Sequence, residues 1–323
     1  MNLALWKKSF RESKWLLLAA SITLCAFCWI RIWISSQIEM DRFAEIVQQL
    51  WPEWKKFSSV PLSHILTHPG RLAVTYNEPL LLMIVSGWAI TRSSDVVSGE
   101  LGRGTMELLL AQPISRLQIL VTQTSVLVLG TAILAGSTWS GMWLGIQQTV
   151  VTPSDQPVSI KLPLLPVEVP LPIPRSDPEP VAMSELVDPS LYIPAAVNLF
   201  ALGIFLAGLT TFLSSWDSLR WRTIGLAVSF WIIQLVLWMI SRTVESCRWL
   251  ERITFFGVYR PEQAVYLAVE RPEQVWHWFL YDPAGKWAGL APLGSSALLI
   301  GLGVCGFIAA GILFNRRDLP VGA

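Results

Sequence analysis

Few residues of this 323-residue sequence have the types and spacing that chemistry requires. His64 and His68 are four residues apart and would share one face of a helix, as two metal ligands do. No further cluster of Cys, Met or carboxylate residues accompanies them, which favours a chance spacing. Cys25 and Cys28 form a C-x-x-C pair inside an apolar stretch, which favours packing over redox or zinc chemistry.

Sequence motifs of common catalytic centres are absent. The sequence contains no H-E-x-x-H, no G-x-S-x-G and no evident pair of catalytic carboxylates, which disfavours an enzyme working within a membrane. It also lacks the phosphate-binding loop G-x-x-x-x-G-K-[ST], so that motif does not bind ATP here. We therefore predict a chain that is not itself an enzyme and that binds no metal or cofactor of its own.

The composition indicates a membrane protein. Apolar residues make up 53% of the chain, charged residues only 15%, and the mean hydropathy is +0.50. A soluble domain carries about 25% charged residues, because it must hydrate its surface. The 17 tryptophans suit membrane–water interfaces, and the net charge of +1 predicts no nucleic-acid partner.

Six stretches are long and apolar enough to cross a bilayer, which needs about 20 residues of helix. We predict an all-α integral membrane protein whose spans are 15–34, 72–91, 117–143, 193–214, 223–241 and 290–314. Asn77, Glu78 and Pro79 interrupt the second stretch, so it must draw on 72–76. Arg31 is expected to extend to the outer interface. Glu78 could face a substrate, although an acid at a helix start is the favoured interpretation.

An even number of spans places both termini on one side of the membrane. The density of Lys and Arg favours the cytoplasm for that side, and hence the cell membrane as the location. The first stretch continues past Arg31 without a small-residue cleavage site, which indicates a retained anchor rather than a signal peptide. The predicted organisation is one membrane domain over 1–323, with a cytoplasmic amphipathic helical segment 1–14, external segments 35–71, 146–192 and 242–289, and a cytoplasmic loop 92–116.

The loop 92–116 is the most informative stretch. Thr105 is placed to cap a short helix over 106–112, with Glu107 in its first turn near the positive end of the helix dipole. Pro113 ends that helix, and Arg116 opens the third span at the headgroup level. A short Leu-rich helix suits docking into a groove of a soluble partner. Three glycines are expected to loosen the chain before it: Gly99, Gly102 and Gly104.

The same loop resembles the permease subunits of ATP-binding-cassette exporters of the ABC-2 type. Their loop after the second span reads S-G-E, a few charged residues, then G-T-x-E-L-L-L-A-x-P-[VI]-S-R. The positions that match are Ser98, Gly99, Glu100, Gly104, Thr105, Glu107, Leu108, Leu109, Leu110, Ala111, Pro113, Ile114, Ser115 and Arg116.

Two flanking segments agree with this resemblance. Residues 6–15 resemble the amphipathic entry helix of the family, and 314–320 resemble the F-x-R-R-D-L ending of the branch that contains the nitrous-oxide-reductase maturation permease. The chain departs from the family at Leu101 and Gly102, where many relatives carry charges, and at Thr122 and Gln123, where relatives often have G-K.

The resemblance implies a permease subunit that pairs with a separate ATP-binding-cassette ATPase subunit and with a second permease copy, identical or related. ATP and Mg would bind the ATPase partner, and neither would bind this chain. The substrate is not readable from the sequence. The residues that the resemblance assigns to coupling with the ATPase are Glu100, Thr105, Glu107, Leu108, Leu109, Pro113 and Arg116.

An alternative function comes from the Pro-rich stretch 153–194. Alternating prolines predict an extended, polyproline-like external loop, which could bind an external accessory protein or act as a stiff spacer. In the first case the complex would transmit ATP-driven motion to that protein as a scaffold, without passing a solute. The tryptophan-rich end of 242–289 predicts short helices at the outer interface. Small residues permit close helix packing, within the subunit or across a dimer: Gly141, Gly145, Ala297, Gly301, Cys305 and Ala309.

Overall fold

The computed structural model describes residues 3–151, 159–161, 168–170, 180–281 and 285–317. These residues are mostly helical. The helices are α1 (Leu3–Gln37), α2 (Met40–Trp54), α3 (Leu62–Ile65), α4 (His68–Ala73), α5 (Pro79–Ser94), α6 (Glu100–Gly102), α7 (Thr105–Leu110), α8 (Arg116–Gln148), α9 (Met183–Leu186), α10 (Ile193–Trp216), α11 (Arg220–Thr243), α12 (Pro261–Glu270) and α13 (Pro292–Arg316).

Six of the helical segments in the described part of the chain are long and apolar enough to cross a membrane. The protein is therefore an all-α, multi-pass integral membrane protein, as the composition and hydropathy predict. Spans 1 to 6 are Ala4–Gln37, Pro79–Gly102, Arg116–Gln148, Pro189–Trp216, Arg220–Thr243 and Pro292–Arg316.

The predicted limits of span 2 are wrong at both ends. Residues 72–76 do not extend it, because they belong to α4 and to a separate 3-10 turn, Val74–Asn77. The span begins at Pro79 and continues through a π-helical turn, Asp95–Gly99, into α6. Residues 94–102 are therefore helix rather than loosened loop, and the break falls at Gly104, whose φ is 69°.

Span 1 lies against span 3 through small residues. A Cβ on Gly141 would come within 2.3 Å of the Cys25 carbonyl oxygen, and one on Gly145 within 2.8 Å of Ile32. These two glycines therefore serve packing inside the subunit. The amphipathic segment predicted at 1–14 is not a separate helix, since α1 runs unbroken from Leu3 to Gln37.

Span 4 is the central helix of the bundle, and span 6 packs on it backbone to backbone. A Cβ on Gly208 would come within 2.0 Å of the Gly303 carbonyl oxygen, and one on Gly306 within 2.6 Å of Gly208. Gly303 and Gly306 thus form the close contact of span 6. Gly301 and Cys305 of the predicted small-residue series are exposed and do not join this contact inside the subunit. Packing of that series across a dimer stays a prediction.

The two ends of the helical bundle differ in construction. The termini end contains the first turns of spans 1, 3 and 5 and the last turns of spans 2, 4 and 6. These turns lie near α7. At the far end, the segments between spans form a cap over the bundle. Tyr259 Oη donates a hydrogen bond to the Tyr76 carbonyl at 2.7 Å, and Tyr192 Oη donates to the Pro69 carbonyl at 3.1 Å.

The far-end cap contains α2, α3, α4, α9 and α12, together with three short antiparallel strand pairs. Between α11 and α12 the chain forms 3-10 helix at Glu245–Ile253 and Phe255–Gly257. Half of the Pro-rich stretch 153–194 lies outside the described residues, and the described half includes helical turns at Met183–Leu186 and Pro189–Tyr192, where an extended loop was predicted. The strands are β1 (Val150–Val151) with β4 (Val181–Ala182), β2 (Ser159–Lys161) with β3 (Glu168–Pro170), and β5 (Phe279–Tyr281) with β6 (Trp287–Leu290).

An ion pair joins spans 1 and 2 near the far end. Arg31 Nε donates to Glu78 Oε1 at 3.1 Å, and both side chains are about one-third exposed. Arg31 therefore has an ionic partner near the far end, and its extension to the outer interface stays a prediction. Glu78 does precede the helix at Pro79, but its carboxylate makes no capping bond to that helix and pairs with span 1 instead.

Candidate functional site

The helix α7 presents one face to the bundle and the other to the surroundings. It covers Thr105–Leu110, two residues shorter at its end than the predicted 106–112, and Gly104 rather than Thr105 occupies its N-cap. Met106 and Leu109 are buried. Glu107 is exposed, and Leu108 is 70% exposed.

The buried face of α7 rests on several spans at once. Met106 packs in a cluster with Val96 and Val97 of span 2, Leu120 of span 3 and Phe314 of span 6. Leu109 packs with Leu5 of span 1 and Ile119 of span 3. A force applied to the exposed face of α7 would therefore reach four spans through direct contacts.

A buried carboxylate anchors the start of α7. Glu100 is 1% exposed, and its carboxylate pairs with Lys8 Nζ of span 1 at 3.2 Å and with Arg103 Nη2 at 3.3 Å. The Thr105 hydroxyl donates to the same carboxylate and also contacts the Glu100 carbonyl oxygen. Buried charges require such partners, because desolvating an unpaired charge costs several kcal/mol. Glu100 thus fixes α7 to spans 1 and 2.

A second carboxylate collects three arginines. Asp95 lies 3.3 Å from Arg92 Nη1, 2.9 Å from Arg103 Nη1 and 3.2 Å from Arg220 Nε. Arg103 therefore bridges Asp95 and Glu100, while Arg220 brings in the first turn of span 5. Burial lowers the pKa of Arg103, but its hydrogen bond to Asp95 and the nearby acids raise the pKa by more than burial lowers it. The pKa of Arg103 therefore lies above its ordinary value. We call Lys8, Arg92, Asp95, Glu100, Arg103 and Arg220 the charge network.

The π-helical turn of span 2 gives Asp95 its position. A Cβ on Gly99 would come within 2.3 Å of Asp95 Oδ1, so the carboxylate occupies the space that any larger residue at 99 would need. A π turn widens the helix by one residue per turn and is frequent at functional sites. Gly99 therefore serves close packing here and does not loosen the chain as predicted.

Hydroxyl groups tie the π turn to spans 4 and 5. The backbone N–H groups of Val97 and Ser98 both donate to Ser214 Oγ, at 3.2 and 2.9 Å. Thr223 Oγ1 of span 5 lies 3.1 Å from Ser98 Oγ, which itself donates to the Ser94 carbonyl at 2.8 Å. These groups are fully buried, and they satisfy one another's hydrogen-bonding capacity. They define a polar joint of spans 2, 4 and 5.

Arg116 binds helix ends rather than facing outward. Its Nη1 donates to the carbonyls of Phe314 at 3.1 Å and Arg317 at 2.7 Å, at the end of span 6. Arg317 Nη1 in turn donates to the carbonyls of Ser215 and Asp217 at 3.0 and 2.9 Å, at the end of span 4. A cation at a helix C-terminus stabilises the unpaired carbonyls and the helix dipole. Arg116 and Arg317 together fasten spans 3, 4 and 6.

The predicted site residues thus fall into two groups. Glu107, Leu108 and Pro113 lie on the exposed surface of the loop. The other four predicted residues contact the chain itself: Glu100, Thr105, Leu109 and Arg116. Sequence reasoning missed Lys8, Arg92, Asp95, Arg103 and Arg220. The available signal was the occurrence of Asp95 and Glu100 within helical reach of an apolar span, where acids are retained only if they are paired.

The histidine and cysteine pairs form no metal site in the structure. His64 lies in α3 and His68 begins α4, so they do not share a helix face. His64 packs edge-on against Tyr266 at 5.0 Å, and burial lowers the pKa of both histidines. Among the described residues, no group of three or more His, Cys, Asp or Glu could hold a metal. Cys28 is buried, in agreement with a packing role.

A family comparison bears on this site. Residues 36–152 match the family model described as ABC-2 family transporter protein. The match covers less than half of the chain, and it includes α7 and most of the charge network, but not Lys8 or Arg220. No curated protein matches the chain. The family match supports a membrane permease of an ATP-binding-cassette transporter, and it agrees with the resemblance that the loop sequence carries.

Proposed function

We propose that this chain is the membrane-spanning permease subunit of an ATP-binding-cassette exporter of the ABC-2 type. A separate ATPase subunit would bind ATP and Mg, hydrolyse ATP and dock on α7. Two permease copies, identical or related, would form the transport path. The termini end would then face the cytoplasm and the far-end cap the outside. The sequence ending at 314–320, which resembles the F-x-R-R-D-L pattern, supports a relation to the nitrous-oxide-reductase maturation branch.

The observation that carries this proposal is the construction of α7. Its exposed face offers Leu108 and Glu107 to a partner, while its buried face touches spans 1, 2, 3 and 6. The charge network holds its base to spans 1, 2 and 5. An amphipathic helix whose apolar residue lies in the open suits docking in a groove. A rigid base lets the partner move several spans as one body.

Capture of an ATPase tests the proposal. The intact chain, solubilised in detergent from its native membrane, should recover a nucleotide-binding ATPase. Glu107→Lys together with Leu108→Arg should abolish that recovery and the stimulated ATP hydrolysis, because it reverses one charge and adds another on the docking face. Thr105→Pro is made as a separate variant. The Thr105 hydroxyl also anchors the Glu100 carboxylate, so this change is not confined to the docking face.

The matched control for Leu108→Arg is Leu186→Arg, at a residue that is 42% exposed in the far-end cap. The control should recover the ATPase as the parent does. Absence of an ATPase from both the parent and the control, with a folded parent, would contradict the proposal. Equal recovery by the docking-face variant would show that the partner binds elsewhere.

The alternative function, a scaffold that transmits motion to an external protein, needs a narrower test than removal of 153–189. Met183 and Val187 belong to the hydrophobic core, so that deletion would damage the fold. Deleting 153–179 and closing the gap with a short turn keeps the pairing of Val151 with Val181. Transport that survives this deletion would remove the scaffold hypothesis.

A further inference from the structure

A cavity of about 710 Å³ opens in the far-end cap, beyond the ends of spans 5 and 6. Its walls come from the 3-10 helix Glu245–Ile253, the start of α12, the strand β6 and the first turns of α13. This volume is in the range of sites that hold small molecules. The cavity lies across the bundle from α7, so nothing in the proposed coupling mechanism uses it.

The cavity wall carries an excess of positive charge. Arg248, Arg252 and Arg260 line it together with a single acid, Glu251. That acid is already engaged, because its Oε1 lies 2.6 Å from Arg260 Nη2 and 2.9 Å from Arg242 Nη2. Within the described part of the chain, neither Arg248 nor Arg252 forms an ion pair.

Further donors around the cavity also lack acceptors. The buried Nε atoms of Arg260 and Arg242 have no hydrogen-bond partner among the described residues. A neighbouring cavity of about 230 Å³ shares Arg248 and Glu251 with the first and adds Lys55 and Lys56. Unpaired buried donors are rare in folded proteins, and each needs an explanation, of which a bound ligand, an ion or an ordered water is the usual kind.

The remaining wall of the cavity is mostly apolar and aromatic, with Gln263 and Ser295 as its polar residues. Trp249 and Trp287 line it with more than half of each side chain exposed, and Leu298 of span 6 is also exposed. Tryptophan at this level is typical of the boundary between headgroups and acyl chains. The cavity therefore joins a cationic floor to a surface that hydrocarbon can cover.

We propose that this cavity binds an anionic phospholipid, with the phosphate at Arg248, Arg252 and Arg260 and the acyl chain along Leu298. Guanidinium groups bind phosphate oxygens through paired, charge-assisted hydrogen bonds. The proposed function adds only the side of the membrane: if the termini end is cytoplasmic, the ligand belongs to the outer leaflet.

Native mass spectrometry of the purified chain in detergent, without any ATPase, tests the proposal. Phosphatidylglycerol, phosphatidylcholine and soluble glycerol phosphate are titrated separately. Phosphatidylglycerol should bind at least tenfold more tightly than phosphatidylcholine, and added salt should weaken it, because the contact is ionic. Arg248→Gln together with Arg252→Gln should reduce the affinity for phosphatidylglycerol at least tenfold.

The matched control removes two arginines of the same cap that do not line the cavity, Arg42→Gln with Arg271→Gln, and should change the affinity less than twofold. Equal affinity for the two lipids, or an equal loss in the control, would overturn the proposal. Glycerol phosphate that competes at the lipid's own concentration would assign the cationic floor to a soluble phosphate ester and overturn the phospholipid. Because no ATPase is present, these outcomes are independent of the proposed coupling role.

Discussion

The two ends of the bundle use charge in opposite ways. At the termini end, two acids and four cations form a closed set, in which Asp95 holds three arginines and Glu100 holds Lys8 and Arg103. At the far end, Glu251 holds Arg242 and Arg260. Arg248 and Arg252 line an open cavity there, and neither pairs with an acid among the described residues.

This difference separates a mechanical role from a binding role. A closed network resists motion between the helices it joins, because moving one helix leaves a buried charge unpaired. An open cluster of cations destabilises the protein slightly by mutual repulsion and gains a partner when an anion arrives. The termini end is thus suited to carry force, and the far end is suited to hold a ligand.

The largest effect should come from removing the carboxylate at the centre of the closed network. Asp95→Asn leaves Arg92, whose side chain is 10% exposed, without its acid, and should destabilise the fold by about 3 kcal/mol, in the range measured for broken buried ion pairs. The thermal unfolding midpoint in detergent measures it. Glu39→Gln breaks an exposed pair with Arg42 as the control and should cost less than about 1 kcal/mol. Equal costs would contradict a closed, buried network.

The next effect tests the π turn that places Asp95. Gly99→Ala should cost about 2 kcal/mol, because the new Cβ would displace the Asp95 carboxylate from its arginines. Gly87→Ala, in α5 with nothing within 4 Å of the new Cβ, should stabilise by about 0.5 kcal/mol through reduced chain entropy. Unfolding midpoints that rise for both variants would show that Gly99 has no packing role.

A smaller effect depends on pH at the far end. Burial raises the pKa of Glu262, whose carboxyl is hydrogen-bonded to Asn77 and Ser59. The folded protein therefore holds this proton more tightly than the unfolded chain. Its stability contribution is full below the unfolded pKa and is lost as pH rises through the raised folded pKa, at about 1.4 kcal/mol per unit of pKa difference.

Glu262→Gln cannot ionise, so its unfolding midpoint should gain on the parent as pH rises from 4 to 8. Glu245→Gln, at an exposed residue of the same cap, provides the control and should keep the pH slope of the parent. A parent and Glu262→Gln variant with parallel pH curves would show that the carboxyl ionises freely. In that case Glu262 would be an ionised acid of the far end, in addition to Glu251.

The smallest effect concerns the open cations. Arg248→Gln with Arg252→Gln should change the free energy of unfolding by no more than about 0.5 kcal/mol, with a slight gain as repulsion is relieved. Lipid-free chain in a nonionic detergent is the sample for this measurement. A loss as large as that of Asp95→Asn would mean that these arginines also serve the fold, and the two ends would not differ in kind.

The sequence predicted the spans well because long apolar stretches are local signals. It failed at span 2, where Asp95 and Glu100 indicated a wet loop after Arg92. Those acids are tolerated in a helix because Lys8 and Arg220 reach them from spans 1 and 5, and partners 92 residues or more away leave no local pattern. The pairing of Arg31 with Glu78 was missed for the same reason, since each is unremarkable until the other is placed beside it.

Within the candidate site, the sequence motif located α7 but did not distinguish its inward from its outward residues. Glu100 and Arg116 match the family pattern as fully as Glu107 and Leu108 do, yet only the latter two are exposed. A motif records which residues are needed together. Burial, which decides whether a residue touches a partner or supports the residue that does, depends on the packing of distant spans.

The arginine contacts at the helix ends also set an order of assembly during synthesis. Arg116 caps span 6 through the carbonyl of Arg317, 201 residues later, and Arg317 in turn caps span 4. A ribosome adds about 5–20 residues per second, so the start of span 3 waits roughly 10–40 s for its partner. During that interval α7 lacks its contact with Phe314. An ATPase subunit that recognises the finished surface would therefore meet only chains whose last span is already in place.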